Sequence, residues 1–140
     1  MKILVAVDGS VYSKKMLAYL AAHDEWLGPQ HQYTVVHAVA AVPPRAASVL
    51  DKTVLKSYYD DTASGVFKPI RVFLEKQGLK AQFVAKTGPA AEVIAAAARK
   101  GDFDLLVMGS HGHGTLTNLV MGSVATKVLA NCSTPVLLVR

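Results

Sequence analysis

Residues 104–132 read DLLVMGSHGHGTLTNLVMGSVATKVLANC: an apolar run, a glycine-rich segment and a helical pattern in succession. Three glycines fall within Gly109–Gly114. Such a segment cannot be the interior of a strand or helix, because each glycine loses backbone freedom there and brings no side chain to pack. The stretch Gly109–Ser123 therefore reads as a loop between a strand and a helix. In that setting glycine offers close approach of bare backbone N–H groups to an anion, reinforced by the positive end of the following helix. The chemistry indicated is phosphate binding.

Spacing tests which phosphate loop this is. A P-loop requires Gly-Lys-Ser/Thr four residues after its first glycine; Gly109 and Gly114 have the gap, but Thr115 and Leu116 stand where the lysine and hydroxyl belong. A dinucleotide fingerprint starting at Gly112 needs glycine or alanine at Thr117, and it normally follows a first strand. Both fail. The spacing that fits is Gly109, two residues, Gly112, nine residues, then Gly122-Ser123. In this the sequence resembles the nucleotide-binding members of the universal stress protein family, which carry G-x2-G-x9-G-[S/T]. The resemblance covers the whole chain, through the opening KILVAVDGS with Asp8, the VVHAV of residues 35–39, the DLLVMGSHG entering the loop and the closing NCSTPVLLV.

The composition bounds the rest. At 140 residues and 51% apolar, residues 1–140 make one domain's worth of chain with a self-sufficient core. The single cysteine, Cys132, excludes an intramolecular disulfide and points to a reducing compartment. The apolar run before Asp8 is too short for a signal sequence or membrane span, so the expected location is the cytoplasm, with no membrane partner. The net charge of +5 is spread over scattered lysines and arginines with no run longer than a pair. Nucleic acid is therefore not expected as a partner.

Working outward, Lys2–Val7 reads as a strand buried on both faces. A helix capped by Ser10 follows and runs to Gly28-Pro29. Tyr33–Val39 is a second strand, and Ala40–Ala47, with Pro43-Pro44 inside it, a loop. Ser48–Gln77 reads as one long helix whose apolar spacing breaks near Thr62–Gly65, kinked or interrupted because Pro69 cannot donate to the Gly65 carbonyl. Lys80–Lys86 alternates as an edge strand does. Gly88-Pro89 opens an alanine-rich helix with Arg99-Lys100 at its negative end. Phe103–Met108 is the fourth strand, Gly122-Ser123 starts the last helix, and Val136–Val139 is the fifth strand. The succession βαβαβαβαβ implies a parallel sheet with helices on both faces, a three-layer α/β/α sandwich of Rossmann-like type.

Pattern alone does not order the strands. The resemblance implies 3-2-1-4-5, the order of the adenine nucleotide alpha hydrolase-like fold, which sets the first and fourth strands side by side where the winding reverses. Ligands of open α/β sheets lie at that reversal. By likeness to the family's ATP-binding members, Asp8 would accept hydrogen bonds from the ribose hydroxyls or a nearby adenine edge, and Ala6 and Ala38 would line the base pocket. Met108 would touch base or sugar. Gly109, Gly112, Gly122, Ser123 and Val124 would wrap the phosphates of ATP or another adenine nucleotide, with Mg2+ accompanying them, and Thr126 is a further contact. The resemblance also implies a homodimer paired through Val136–Val139. A glycine-rich loop between Gly109 and Gly122 is costly to order without ligand, so the expected role is that of a regulatory or stress-response factor switched by nucleotide and read by a protein partner.

The residues also carry plainer readings. Asp8 could simply close a turn and Ser123 simply cap a helix. His111 and His113 supply two ligands where a metal site needs three or four. His37 within an apolar strand reads as a satisfied, partly buried residue, and Cys132 and Trp26 as packing. No Gly-x-Ser-x-Gly surrounds Ser110, so a hydrolase elbow is unsupported. Slow ATP hydrolysis or phosphotransfer remains the rival to pure binding, although the loop holds no carboxylate pair or positioned lysine.

Overall fold

A computed structural model describes residues 1–114 and 118–140; the expected loop Gly109–Ser123 therefore includes three positions, Thr115, Leu116 and Thr117, outside the described residues. The elements are β1 (Lys2–Ala6), α1 (Val11–Ala22), α2 (Asp24–Leu27), β2 (Gln32–Val39), α3 (Pro44–Ser48), α4 (Lys52–Lys76), β3 (Ala81–Thr87), α5 (Ala90–Lys100), β4 (Leu105–Gly109), α6 (Ser123–Asn131) and β5 (Val136–Val139). All neighbouring strands pair in parallel, in the order β3-β2-β1-β4-β5. The sheet order is the one the resemblance implied.

Strand side chains alternate between two apolar layers. Ile3, Val5, Val35 and Val107 meet Met16 and Leu20 of α1 and Phe67, Ile70 and Leu74 of α4 on one face. Leu4, Ala6, Val36, Leu106 and Met108 meet Ile94 and Ala98 of α5 and Ala125 and Val128 of α6 on the other. A strand with apolar residues at both parities must be covered on both sides, and β1 is buried from Ile3 to Ala6. Each fully buried aliphatic side chain contributes about 1.5–3 kcal/mol relative to exposure.

Three local expectations are corrected. The first helix does not run unbroken to Gly28: it ends at His23, whose Nδ1 meets the Tyr19 carbonyl at 2.8 Å while its ring stacks on Tyr19, and the short α2 follows. The stretch around Pro43-Pro44 is not wholly loop. Pro44 occupies the first turn of α3, where its missing N–H costs no helical bond. The long helix begins later than expected, at Lys52 after the Asp51 cap, and it continues through Pro69. Both Pro69 and Gly65, whose carbonyl loses its donor, are exposed, so the lost bond falls on the solvent side of the helix. Trp26 is also more exposed than a packing residue, at 39%.

Candidate functional site

The winding reverses between β1 and β4, since α1 and α4 cover one face while α5 and α6 cover the other. The carboxyl ends of these two strands are in register, with Ala6 beside Met108. Just beyond them lies a cavity of about 230 Å3. Its lining includes Ala6, Asp8, Ala38, Met108, Gly109, Gly112, Gly122, Ser123 and Val124, all expected from sequence, but not Thr126. Asp8 and Gly112, 104 residues apart in the chain, meet there.

Asp8 follows β1 at the turn into α1. Its Oδ1 accepts from the Ser10 amide and from the Ser13 hydroxyl, each at 2.8 Å, while the Asp8 amide donates to Ser13 Oγ at 3.0 Å. Partial burial alone would raise the Asp8 carboxyl's pKa. Hydrogen bonds from Ser10 and Ser13 and the nearby His113 outweigh it and hold the group below its ordinary 3.8. The side chain thus enters the cavity as an oriented anion. Its Oδ2 lies 2.6 Å from where a Cβ on Gly112 would stand, so a side chain at position 112 would collide with the carboxylate.

The other two motif glycines have the same steric logic. A Cβ on Gly109 would meet Tyr12 Cβ at 2.8 Å and the His111 carbonyl at 3.2 Å, and one on Gly122 would meet the Ser110 carbonyl at 3.0 Å. The Gly122 amide donates to that carbonyl at 2.7 Å, and the Ser110 amide donates to Val139 at 2.8 Å. Ser110 therefore fastens the start of the loop to its end and to β5. The structure makes Gly122, not Ser123, the cap of α6; Ser123 is the first helical residue. The first amide bonded within this helix is that of Thr126, to Gly122 at 3.1 Å. The amides of Ser123, Val124 and Ala125 precede it without intrahelical partners, at the positive end of the helix. Thr126 itself is exposed, spends its hydroxyl on the Gly122 carbonyl at 2.9 Å and stands outside the cavity lining.

The histidines work as ties. His113 Nε2 donates to the Asp8 carbonyl at 2.7 Å and His111 Nε2 to the Leu119 carbonyl at 2.8 Å. A carbonyl only accepts, so both Nε2 atoms carry protons and are not open to a metal. His111 Nδ1 faces the Ser110 hydroxyl at 2.8 Å, and its ring lies 5.0 Å from that of Tyr12. His37 is buried with Nδ1 donating to the Val7 carbonyl at 2.8 Å, and it lines the cavity. Sequence reasoning missed Ser13, Tyr12, Ser110 and the wall from α5, Ala90 and Ile94. The one available signal was Ser13, three residues after a helix cap.

The sequence model of the universal stress protein family matches residues 1–140. A universal stress protein from Thermus aquaticus is 32% identical over 142 residues, covering 99% of this chain and 97% of the relative. One from Synechocystis sp. is 32% identical over 139 residues, 99% of this chain, which spans only 42% of that longer protein. The solved structure of MJ0577, a universal stress protein of Methanocaldococcus jannaschii, superposes with a TM-score of 0.80 at 26% identity, over 99% of this chain and 94% of that one. Two others share the fold. An Arabidopsis thaliana family member with AMP bound has a TM-score of 0.70 at 16% identity, over 99% and 90% of the two chains. An Archaeoglobus fulgidus universal stress protein in complex with dAMP has a TM-score of 0.65 at 21% identity, over 100% and 98%.

Proposed function

This chain belongs to the universal stress protein family, and from that membership we propose that it binds ATP or another adenine nucleotide in the cavity between β1 and β4. The observation that carries the reading is the meeting of Asp8 with Gly112 across the cavity, an oriented carboxylate beside a loop of bare amides. AMP and dAMP bound to the Arabidopsis and Archaeoglobus relatives support the same ligand class. The carboxylate accepts from the ribose hydroxyls, and Ala6, Ala38 and Met108 contact base and sugar. The backbone of Gly109 and Gly112 and the helix-end amides of Ser123 and Val124 receive the phosphates, with Mg2+ neutralising their charge; Gly122, whose amide is given to Ser110, lets the loop approach closely.

Size and charge refine this reading. At about 230 Å3 the cavity is smaller than the roughly 300–1,000 Å3 that encloses a drug-sized ligand whole. The base and sugar enter it and the phosphates lie along the loop. No lysine or arginine is among the described lining residues, so the phosphates are held by amide dipoles. Binding rather than phosphoryl transfer is the better match, since transfer relies on cationic groups beside the reacting phosphate. Occupancy then acts as the signal: ligand ties the segment between Gly109 and Gly122 to β1, and a protein partner reads the change. Calorimetry with ATP and magnesium, paired with limited proteolysis of that segment, tests both parts. Saturable heat and ligand-dependent protection are expected; absence of heat at millimolar ATP leaves only a shared fold.

The same reading includes a homodimer. β5 ends the sheet, and Val136, Leu137, Leu138 and Val139 are each only half-buried. An apolar edge strand invites pairing with a second copy, here across a twofold axis. Leu138→Glu is expected to give monomers by light scattering, and a variant that stays dimeric moves the interface elsewhere.

A further inference from the structure

The opposite end of the sheet has a second recess, and its chemistry is different. A groove of about 1330 Å3 runs along the face of β2 and β3 that α5 flanks. On the other face α4 covers β3 through Phe83. On this one Gln82, Val84 and Lys86 face the groove, and the adjacent wall is Val93, Ala96 and Ala97 of α5. Its rim is basic: Lys80, Lys86 and Lys100 are exposed, against one acid, Glu92. The one ion pair among the described residues joins Lys56 to Asp60 on α4, so these three ammonium groups face no carboxylate of their own there. Lys2, by contrast, spends its ammonium on the Gly101 carbonyl and the Phe103 ring.

β3 is also a sheet edge with one side unpaired. The Gly88 amide donates inward to Val39. Because strand amides alternate in direction, those of Phe83, Ala85 and Thr87 point out from the sheet. Main-chain donors along a free edge, an aliphatic floor and like charges on one face make a site for an added strand. We infer that an extended acidic peptide of a partner protein docks here, pairing with β3 and placing carboxylates against Lys80, Lys86 and Lys100. Lys80 and Lys86 have the same strand parity and lie about 20 Å apart at roughly 3.3 Å per residue, which matches alternate acidic side chains of one strand. A nucleic acid fits less well, because the floor is largely aliphatic and its aromatic rings are few: Tyr33 is buried, which leaves Phe103 and His31 as surfaces for stacking bases. This inference is independent of nucleotide binding.

The test titrates the isotopically labelled full chain with the octapeptide Glu-Val-Glu-Val-Glu-Val-Glu-Val and follows amide resonances. Shifts confined to residues 80–88 and 93–100 are expected. Lys80→Glu combined with Lys86→Glu should weaken binding by about tenfold or more. Ala85→Pro, which removes one outward donor at an exposed edge position, should weaken it comparably while the remaining spectrum stays native. The inference is overturned by an absence of shifts at millimolar peptide, by equal shifts with the Lys-Val counterpart, or by binding that both variants leave intact. Tighter binding of a thymidine decamer to the same residues would also overturn it, marking the groove as a nucleic-acid surface.

Discussion

Asp8→Ala is expected to weaken adenine-nucleotide binding by roughly 10- to 150-fold, the equivalent of losing one charge-assisted hydrogen bond of about 1.5–3 kcal/mol. The effect is large because the carboxylate is already oriented by Ser10 and Ser13, so the ligand does not have to order it. Asp8→Asn separates charge from shape. It keeps an oxygen for the Ser10 amide and loses the anion, and its affinity should fall between wild type and Asp8→Ala. Stability carries the same signature. The folded pKa lies below the ordinary 3.8, so the stabilisation from Asp8 is complete above 3.8 and is lost as pH falls through the lower folded value. Urea titrations of wild type and Asp8→Ala should therefore converge in strong acid. Unchanged affinity in Asp8→Ala would place the sugar elsewhere.

Leu106→Ala should lower the free energy of unfolding by about 2–5 kcal/mol. Leu106 is fully buried in β4 between β1 and β5, within the layer formed with Leu4, Val36 and Val128. Strands hydrogen-bonded on both sides cannot collapse readily onto the missing side chain, so the cavity persists. Urea denaturation with an unchanged slope and a lower midpoint is the expected readout. Nucleotide affinity of the folded fraction should stay within about twofold, because Leu106 is absent from the cavity lining. A loss below about 1 kcal/mol would mean that this layer relaxes far more than its burial implies.

The five strands were legible because each is a short, branched, apolar run bounded by turn residues, and their expected limits fall within two residues of those observed. The order of pairing was not contained in those runs. Nothing local in Lys2–Val7 says that it lies between the second and fourth strands, and the resemblance supplied that. Gly112 shows the same division. Its spacing suggested a phosphate loop, but its contact with Asp8 depends on the sheet bringing two strand ends together. The local misreadings have local causes. Pro69 was read as a break, but the lost bond falls on the solvent side of the helix; His23 was read as helical, but its ring competes for the Tyr19 carbonyl. The histidine ties were invisible because His113 finds its acceptor at Asp8, on the far side of the chain.

Ser110 sits at the junction of three segments, its carbonyl taken by Gly122 and its amide given to Val139. Through that residue the mouth of the cavity between β1 and β4 and the outermost strand share a backbone contact. If two copies meet along β5, occupancy and assembly become reciprocal quantities: whatever free energy the ligand adds to subunit association, association must return to the ligand. The apparent dissociation constant for nucleotide would then drift with protein concentration, and dilution alone would act as an inhibitor.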